Sequence, residues 1–169
     1  MADLAIRPAR VSDAQAIAAI YAHHVAHSTA TFDIEAPDEA AWAQKIAAII
    51  ARGGPFLVAE REEQLAGYCY ATQFRDRAAY ARTCEDSIYI RPGLEGTGIG
   101  TRLLTALIAA ARERGFAQMI AVLGGAGQVS AALHAKCGFV EAGRLRNVGF
   151  KFGRVLDSLY MQRDLTQEC

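Results

Sequence analysis

Glu95-Gly96-Thr97-Gly98-Ile99-Gly100 follows the segment Ser87-Ile88-Tyr89-Ile90 and leads into a run marked by Ile99, Leu103, Leu104, Leu107, Ile108 and Ala111. The first segment alternates like the end of a strand, and the second set recurs at helical spacing. Three glycines within residues 96–100 therefore stand where a strand hands over to a helix. At such a junction the backbone can turn tightly, and several N–H groups can converge on an anion at the positive end of the helix dipole. The stretch reads as a phosphate cradle.

The rest of the chain sets bounds on that reading. A length of 169 residues predicts one domain with a substantial core. Hydrophobic residues make up 52% and charged residues 21%, the balance of an ordinary globular protein. Lys+Arg and Asp+Glu stand at 18 each, so no net field favours nucleic acid or an anionic membrane. No apolar run approaches the roughly 18 residues of a membrane span. Asp3 and Arg7 interrupt the basic-then-apolar layout of a leader. Cys69, Cys84, Cys137 and Cys169 show no CxxC spacing, so the expectation is a reduced, cytoplasmic protein.

Along the chain, Leu4 to Pro8 reads as a first strand. Ser12 with Gln15 has the pattern of a capping box, opening a helix to about Val25 with Ile17, Ile20 and Tyr21 on one face. Pro37-Asp38-Glu39 opens a second helix through Trp42, Ile46 and Ile49, stopped at Gly53-Gly54-Pro55. Two strands follow across a charged turn, over 56–59 and 65–70. An arginine-rich connection over 75–82 precedes the strand that ends at Ile90. Beyond the glycine loop, a helix from Ile99 to Arg114 is closed by Gly115, a buried strand covers 119–123, and a short helix runs from Val129 to Lys136. The last strands begin at Phe139 and at Leu156. Consecutive strands in the middle predict a mixed α/β order unlike a regular βαβ repeat.

Two nucleotide readings of the loop fail on the letters. A Walker A loop needs Gly-Lys-Ser/Thr, and Gly100-Thr101-Arg102 has no lysine. A dinucleotide fingerprint needs a third glycine where Leu103 stands. His23, His24 and His27 form an HHxxH cluster. Without a nearby cysteine or an HExxH context it reads as helix surface or helix end, and no metal is expected.

The loop resembles the pyrophosphate loop of the GCN5-related N-acetyltransferases (GNAT), Gln/Arg-x-x-Gly-x-Gly/Ala. The likeness extends over nearly the whole chain. Thr29 to Phe32, Glu85 to Ile90, Leu133-His134-Ala135-Lys136-Cys137-Gly138-Phe139 and Arg146 to Asp157 resemble the phosphinothricin acetyltransferase branch. That branch acetylates the amino group of phosphinothricin, methionine sulfoximine and methionine sulfone. The resemblance implies the GNAT acyl-CoA N-acyltransferase fold in a single domain over 1–169, with a central mixed, mostly antiparallel sheet flanked by helices. It also implies acetyl-CoA as co-substrate, a small amino acid as acceptor, and a homodimer.

Roles for residues follow from the same likeness. Glu95, Gly96, Thr97, Gly98, Ile99, Gly100 and Thr101 would hold the pyrophosphate, with Gly127 and Ser130 adding to the coenzyme site. Ile88, Tyr89 and Ile90 resemble the segment that pairs with the pantetheine arm, and the Ile90 N–H would stabilise a developing oxyanion. Glu85 occupies the position of the family's catalytic glutamate, acting through water or by holding the cationic amine. Asp86 is the neighbouring carboxylate, but in extended geometry its side chain leaves the opposite strand face. His134 stands where many relatives place a tyrosine that protonates the departing thiolate, and its near-neutral titration suits that role. Arg75, Asp76, Arg77 and Tyr80 resemble the acceptor-recognition segment, joined by Glu85, Asp86 and Ser87, and the arginine fork suits a carboxylate or sulfone oxygen. Phe32, Phe150 and Lys151 would wall the same pocket.

The chain departs from the family pattern at Glu95, where Gln or Arg is usual, at Thr97, where arginine is common, and at Gly127, where an asparagine helps bind the coenzyme. Glu95 is expected to point away from the phosphates. Other acceptors on the same fold (aminoglycoside, peptide N-terminus, polyamine) and a non-catalytic CoA-binding module are the alternatives. Arginines in place of an acidic patch weigh against cationic acceptors, and Glu85 weighs against the module.

Overall fold

The computed structural model describes residues 4–125 and 127–167. Asp3, Ala126 and Cys169 lie outside the described residues. The order is β1 (Leu4–Pro8), α1 (Ala14–His27), α2 (Glu39–Ala51), β2 (Phe56–Arg61), β3 (Gln64–Gln73), β4 (Thr83–Ile90), α3 (Ile99–Glu113), β5 (Gln118–Gly124), α4 (Gln128–Lys136), β6 (Val140–Lys151) and β7 (Arg154–Asp164). Among the described residues, one seven-stranded sheet runs β1-β2-β3-β4-β5-β7-β6. Every neighbouring pair is antiparallel except β4 with β5. The mixed, mostly antiparallel sheet expected from the sequence is therefore present, and helices cover both of its faces.

Strand periodicity sorts the core into two layers. Tyr68 and Tyr70 of β3 pack with Trp42, Ile46, Ile17 and Ile20 under α1 and α2. Cys69, Ala71 and Cys84 face the other way, against Leu103, Leu104 and Leu107 of α3. Those three leucines are fully buried, each contributing on the order of 2 kcal/mol relative to exposure. Cys69, Cys84 and Cys137 are buried free thiols.

Helix ends explain several sequence signals. Asp38 accepts the Ala41 N–H at 2.8 Å, capping α2 where the Pro-Asp-Glu signal predicts it. At the end of α4, Gly138 lies in the left-handed region at φ 84°. This lets the Phe139 N–H reach His134 O at 3.0 Å while the Gly138 N–H reaches Ala135 O. The Phe139 ring then packs edge-on to His134, with ring centroids 4.9 Å apart. The His-Ala-Lys-Cys-Gly-Phe run is thus a helix terminus that fixes the imidazole.

The Ser12–Gln15 capping box does not form. A 3₁₀ turn over Val11–Asp13 precedes α1, and Asp13 accepts the Arg10 N–H at 2.7 Å. Asp13 wins because Arg7 grips its carboxylate with both terminal nitrogens at 2.9 Å, a bidentate pair that Ser12 cannot match. That Arg7 hydrogen bond holds the Asp13 carboxyl below the ordinary carboxylate value, against the opposing effect of burial.

Asp13→Asn is expected to lower stability by about 1–3 kcal/mol near neutral pH. Because the folded-state value is depressed, the contribution is present above the ordinary carboxylate value of 3.8 and fades as pH falls through the folded value. Urea unfolding of both proteins across pH should show the gap closing in acid. A gap that stays constant with pH would remove Asp13 from this role.

Candidate active site

The parallel pairing of β4 with β5 lasts only from Thr83 to Asp86, opposite Gln118 to Ala121. Beyond it the two strands diverge. On the other side of β4, the Phe74 N–H donates to Thr83 O and the Arg91 N–H donates to Ala66 O. These bonds orient the odd-numbered amide groups of β4 toward β3, so the even-numbered ones face the β5 side. The backbone groups of Cys84 and Asp86 face β5 where it is paired, whereas those of Ile88 and Ile90 face the opening. Tyr89, grouped with them in the sequence, turns its amide toward β3.

One of the groups in that opening has a partner. His24 of α1 turns its Nε2 to Ile90 O at 2.8 Å, which requires a proton on Nε2 because a carbonyl only accepts. The HHxxH cluster therefore divides. The His23 and His27 rings lie beside each other at 4.7 Å, but His24 faces the cleft and is not helix surface. Helical spacing carries the signal, since His24 is four residues from Ile20 and three from Tyr21 on the buried face.

The opening is a cavity of about 610 Å³. Among the residues proposed from sequence, it is lined by Phe32, Glu85, Asp86, Ser87, Ile88, Tyr89, Ile90, Glu95, Gly127, Ser130 and His134. Arg75, Asp76, Arg77 and Tyr80 line a separate recess of about 390 Å³. Gln73 Nε2 holds that segment by donating to Arg75 O and Arg77 O. The two regions communicate electrically, because the Arg75 charge acts on Glu85. Phe150 is 72% exposed and Lys151 only 4%, and neither lines the cleft. Lys151 donates instead to Ser28 O at 2.9 Å and to Thr31 O at 2.8 Å. It therefore bears on the cleft through the loop that carries Phe32, and burial lowers its pKa from the ordinary lysine value.

At the glycine loop, Gly96 and Gly98 sit at φ 74° and 86°, and a Cβ at either position would point into open space. The backbone turn, not crowding, requires glycine there. The first helical bond of α3 is the Arg102 N–H to Gly98 O at 3.2 Å, so the preceding N–H groups are open to an anion. Glu95 Oε2 accepts the Gly93 N–H at 2.7 Å, folding its charge back onto its own loop. Thr97 donates its hydroxyl to Leu94 O at 2.6 Å. These features fit a pyrophosphate held by backbone donors.

The two adjacent acids of β4 occupy opposite faces. Glu85 is half-buried, and burial first, then the Asp86 charge, raises its pKa against the opposing pull of Arg75. Asp86 is 6% exposed and meets His134 Nε2 at 3.0 Å. His134 Nδ1 lies 2.7 Å from Ser130 O and must donate to it. Both imidazole nitrogens are therefore engaged, and the ring is 1% exposed. Burial lowers the His134 value, but the Asp86 hydrogen bond and charge outweigh it and the net shift is upward. Asp86 Oδ1 has no partner among the described residues.

A family model described as the acetyltransferase (GNAT) family matches residues 17–139. The phosphinothricin N-acetyltransferase of Alcaligenes faecalis is 48% identical over 161 residues, covering 95% of this chain and 82% of the relative. An L-methionine sulfoximine/L-methionine sulfone acetyltransferase of Pseudomonas aeruginosa is 37% identical over 164 residues, covering 95% and 94%. A crystal structure of a GNAT superfamily phosphinothricin acetyltransferase from Sinorhizobium meliloti, in complex with acetyl-CoA, matches with a TM-score of 0.93 at 42% identity. That match covers 95% of this chain and 88% of the other.

The raised His134 value has a measurable consequence. Its stabilising contribution is full below the ordinary imidazole value of 6.5 and is lost as pH rises through the folded-state value. Imidazole NMR titration should place the His134 midpoint above the ordinary value in the native chain and clearly lower in Asp86→Asn, where burial is opposed only by the Ser130 carbonyl hydrogen bond. Equal midpoints in the two proteins would break the pair.

Proposed function

This chain belongs to the acetyltransferase (GNAT) family, and from that premise we propose that it transfers an acetyl group from acetyl-CoA to the α-amino group of a small amino acid. The acceptor class is phosphinothricin, methionine sulfoximine or methionine sulfone. The observation that carries the reading is the divergence of β4 from β5 beside Glu85. Among the described residues it leaves the Ile88 and Ile90 amides with no strand on the β5 side, on one wall of a cleft that also holds the titratable carboxylate of Glu85 and meets the glycine loop at Glu95. The names of the relatives at 48% and 37% identity support the acceptor class.

The chain's residues divide the work. The N–H groups from Gly96 to Thr101 hold the pyrophosphate, and backbone groups of Ile88 and Ile90 align the pantetheine arm beside Tyr89. Gly127 and Ser130 border the same site. When bound, acetyl-CoA supplies a thioester carbonyl open to attack by a neutral amine. The Ile90 N–H serves as donor to the carbonyl oxygen that gains charge, an interaction worth about 3–4 kcal/mol in acyl transfer. Glu85 takes the ammonium proton directly or through water. Burial and Asp86 raise its pKa, making it a better base than an exposed glutamate. Arg75 and Arg77 act on the acceptor's acidic end from the separate recess, with Asp76, Tyr80, Ser87 and Phe32 shaping its site. His134, with both nitrogens engaged, serves with Asp86 to hold α4 against β4, and the pair is a buried proton source for the departing thiolate.

We further assign the active form as a single-domain cytoplasmic homodimer. Val148, Phe150, Phe152 and Val155 are exposed on the β6–β7 hairpin at the edge of the sheet, an apolar surface suited to a second copy. Light scattering should give twice the chain mass, and Phe150→Glu should shift it toward that of a single chain.

Thiol release from acetyl-CoA in the presence of methionine sulfone, phosphinothricin, a polyamine and an aminoglycoside tests the reaction. Turnover is expected with the first two. Binding of CoA without turnover of any amine would favour the non-catalytic module. Glu85→Gln should lower kcat by about 100-fold or more with the KM for acetyl-CoA nearly unchanged. The acid limb of kcat/KM should lie above the ordinary glutamate value of 4.5 and vanish in the variant.

A further inference from the structure

Residues 28–33, the first part of the connection from α1 to α2, line the cleft from Ser28 to Phe32. On one side it continues α1, which packs on the β1–β4 arm of the sheet through Tyr21 and Tyr89, with ring centroids 5.0 Å apart. On the other side it is pinned to the β5–β7–β6 arm. A Cβ on Gly124 of β5 would stand 2.6 Å from Thr29 O, and one on Gly149 of β6 would stand 2.6 Å from Phe32 Cζ. The loop is therefore seated directly on bare backbone. Lys151 closes the attachment, donating from β6 to Ser28 O and Thr31 O, which lie 123 and 120 positions away in the sequence.

A buried ammonium is costly unless its protons are accepted. Two carbonyls accept from Lys151, and its Nζ lies 5.0 Å from the centroid of the Phe152 ring. Those bonds satisfy loop carbonyls that would otherwise lose a partner. From α1, Tyr21 braces the same turn by hydrogen bonds to Thr31 Oγ1 at 2.8 Å and Asp33 Oδ2 at 2.6 Å. The ammonium is thus turned toward the loop backbone and away from the cleft.

We propose that Lys151 is a positioning residue that ties the two arms of the split sheet together through the 28–33 loop, setting where Phe32 stands as a wall of the acceptor site. The proposal rests on the acetyltransferase reading of the cleft. It differs from direct recognition of the acceptor by Lys151, because the lysine acts through the loop and its effect does not depend on the acceptor's carboxylate.

The full chain carrying Lys151→Met tests this in two ways. Hydrogen exchange should accelerate at 28–33 while β4 and α3 keep their protection. The KM for methionine sulfone should rise about tenfold, the scale of one lost interaction, with the KM for acetyl-CoA unchanged. The same rise should appear with the methyl ester of methionine sulfone. Gly149→Ala, which pushes on the Phe32 ring from the same strand β6 and removes no charge, should reproduce both effects and serves if Lys151→Met fails to fold. Unchanged exchange at 28–33 in both variants overturns the tether whatever the activity. A penalty confined to the free acid overturns it in favour of direct carboxylate binding. Wild-type protein inactive on every amine defeats the acceptor-site reading and this proposal's second half, while the exchange result still decides the tether.

Discussion

β4 and β5 are joined in parallel through the α3 crossover, and their ladder closes only up to Asp86 and Ala121. Beyond that point the backbone of Ile88 and Ile90 keeps β3 on one side and has no paired strand on the other among the described residues. Their backbone groups call for partners, and among the described residues His24 meets one of them, Ile90 O. The remaining groups belong to the cleft. The same divergence divides the sheet into two arms, so that anything spanning the gap, such as the loop carrying Phe32, controls how the site is shaped.

Strand alternation then gives two neighbouring carboxylates different tasks. Side chains of consecutive residues leave opposite faces of a strand. Glu85 faces the α1/α2 side, half-buried within reach of the Arg75 charge. Asp86 faces α4 and is committed to His134. The Asp86 charge helps raise the Glu85 pKa through the strand. A buried carboxylate on one face thus tunes a titratable group on the other without touching it.

Much of this is legible in the chain. The glycine loop, the amphipathic helix after it, the Pro-Asp-Glu start of α2 and the end of α4 at Lys136 are local signals, and each forms where the letters place it. The opposite orientation of Asp86 relative to Glu85 follows from period-two alternation alone. The start of α1 departs from the letters because the Ser12–Gln15 pattern is local, whereas Asp13 is held by Arg7 from β1. His24 shares a motif with its histidine neighbours, although its spacing from Ile20 and Tyr21 already puts it on the buried face.

By itself the sequence determined the elements, most of their caps, the alternation of faces and the chemistry of the cradle, because these depend on residues within one or two turns of each other. It also carried the family likeness through motifs of that same short range. Only the tertiary structure decided where the β4–β5 ladder ends, which carbonyl His24 meets, and that Lys151 is bound to Ser28 and Thr31. Such contacts join residues as much as 123 positions apart and leave no periodic trace. They exist only once packing has fixed both arms of the sheet and the loop between them.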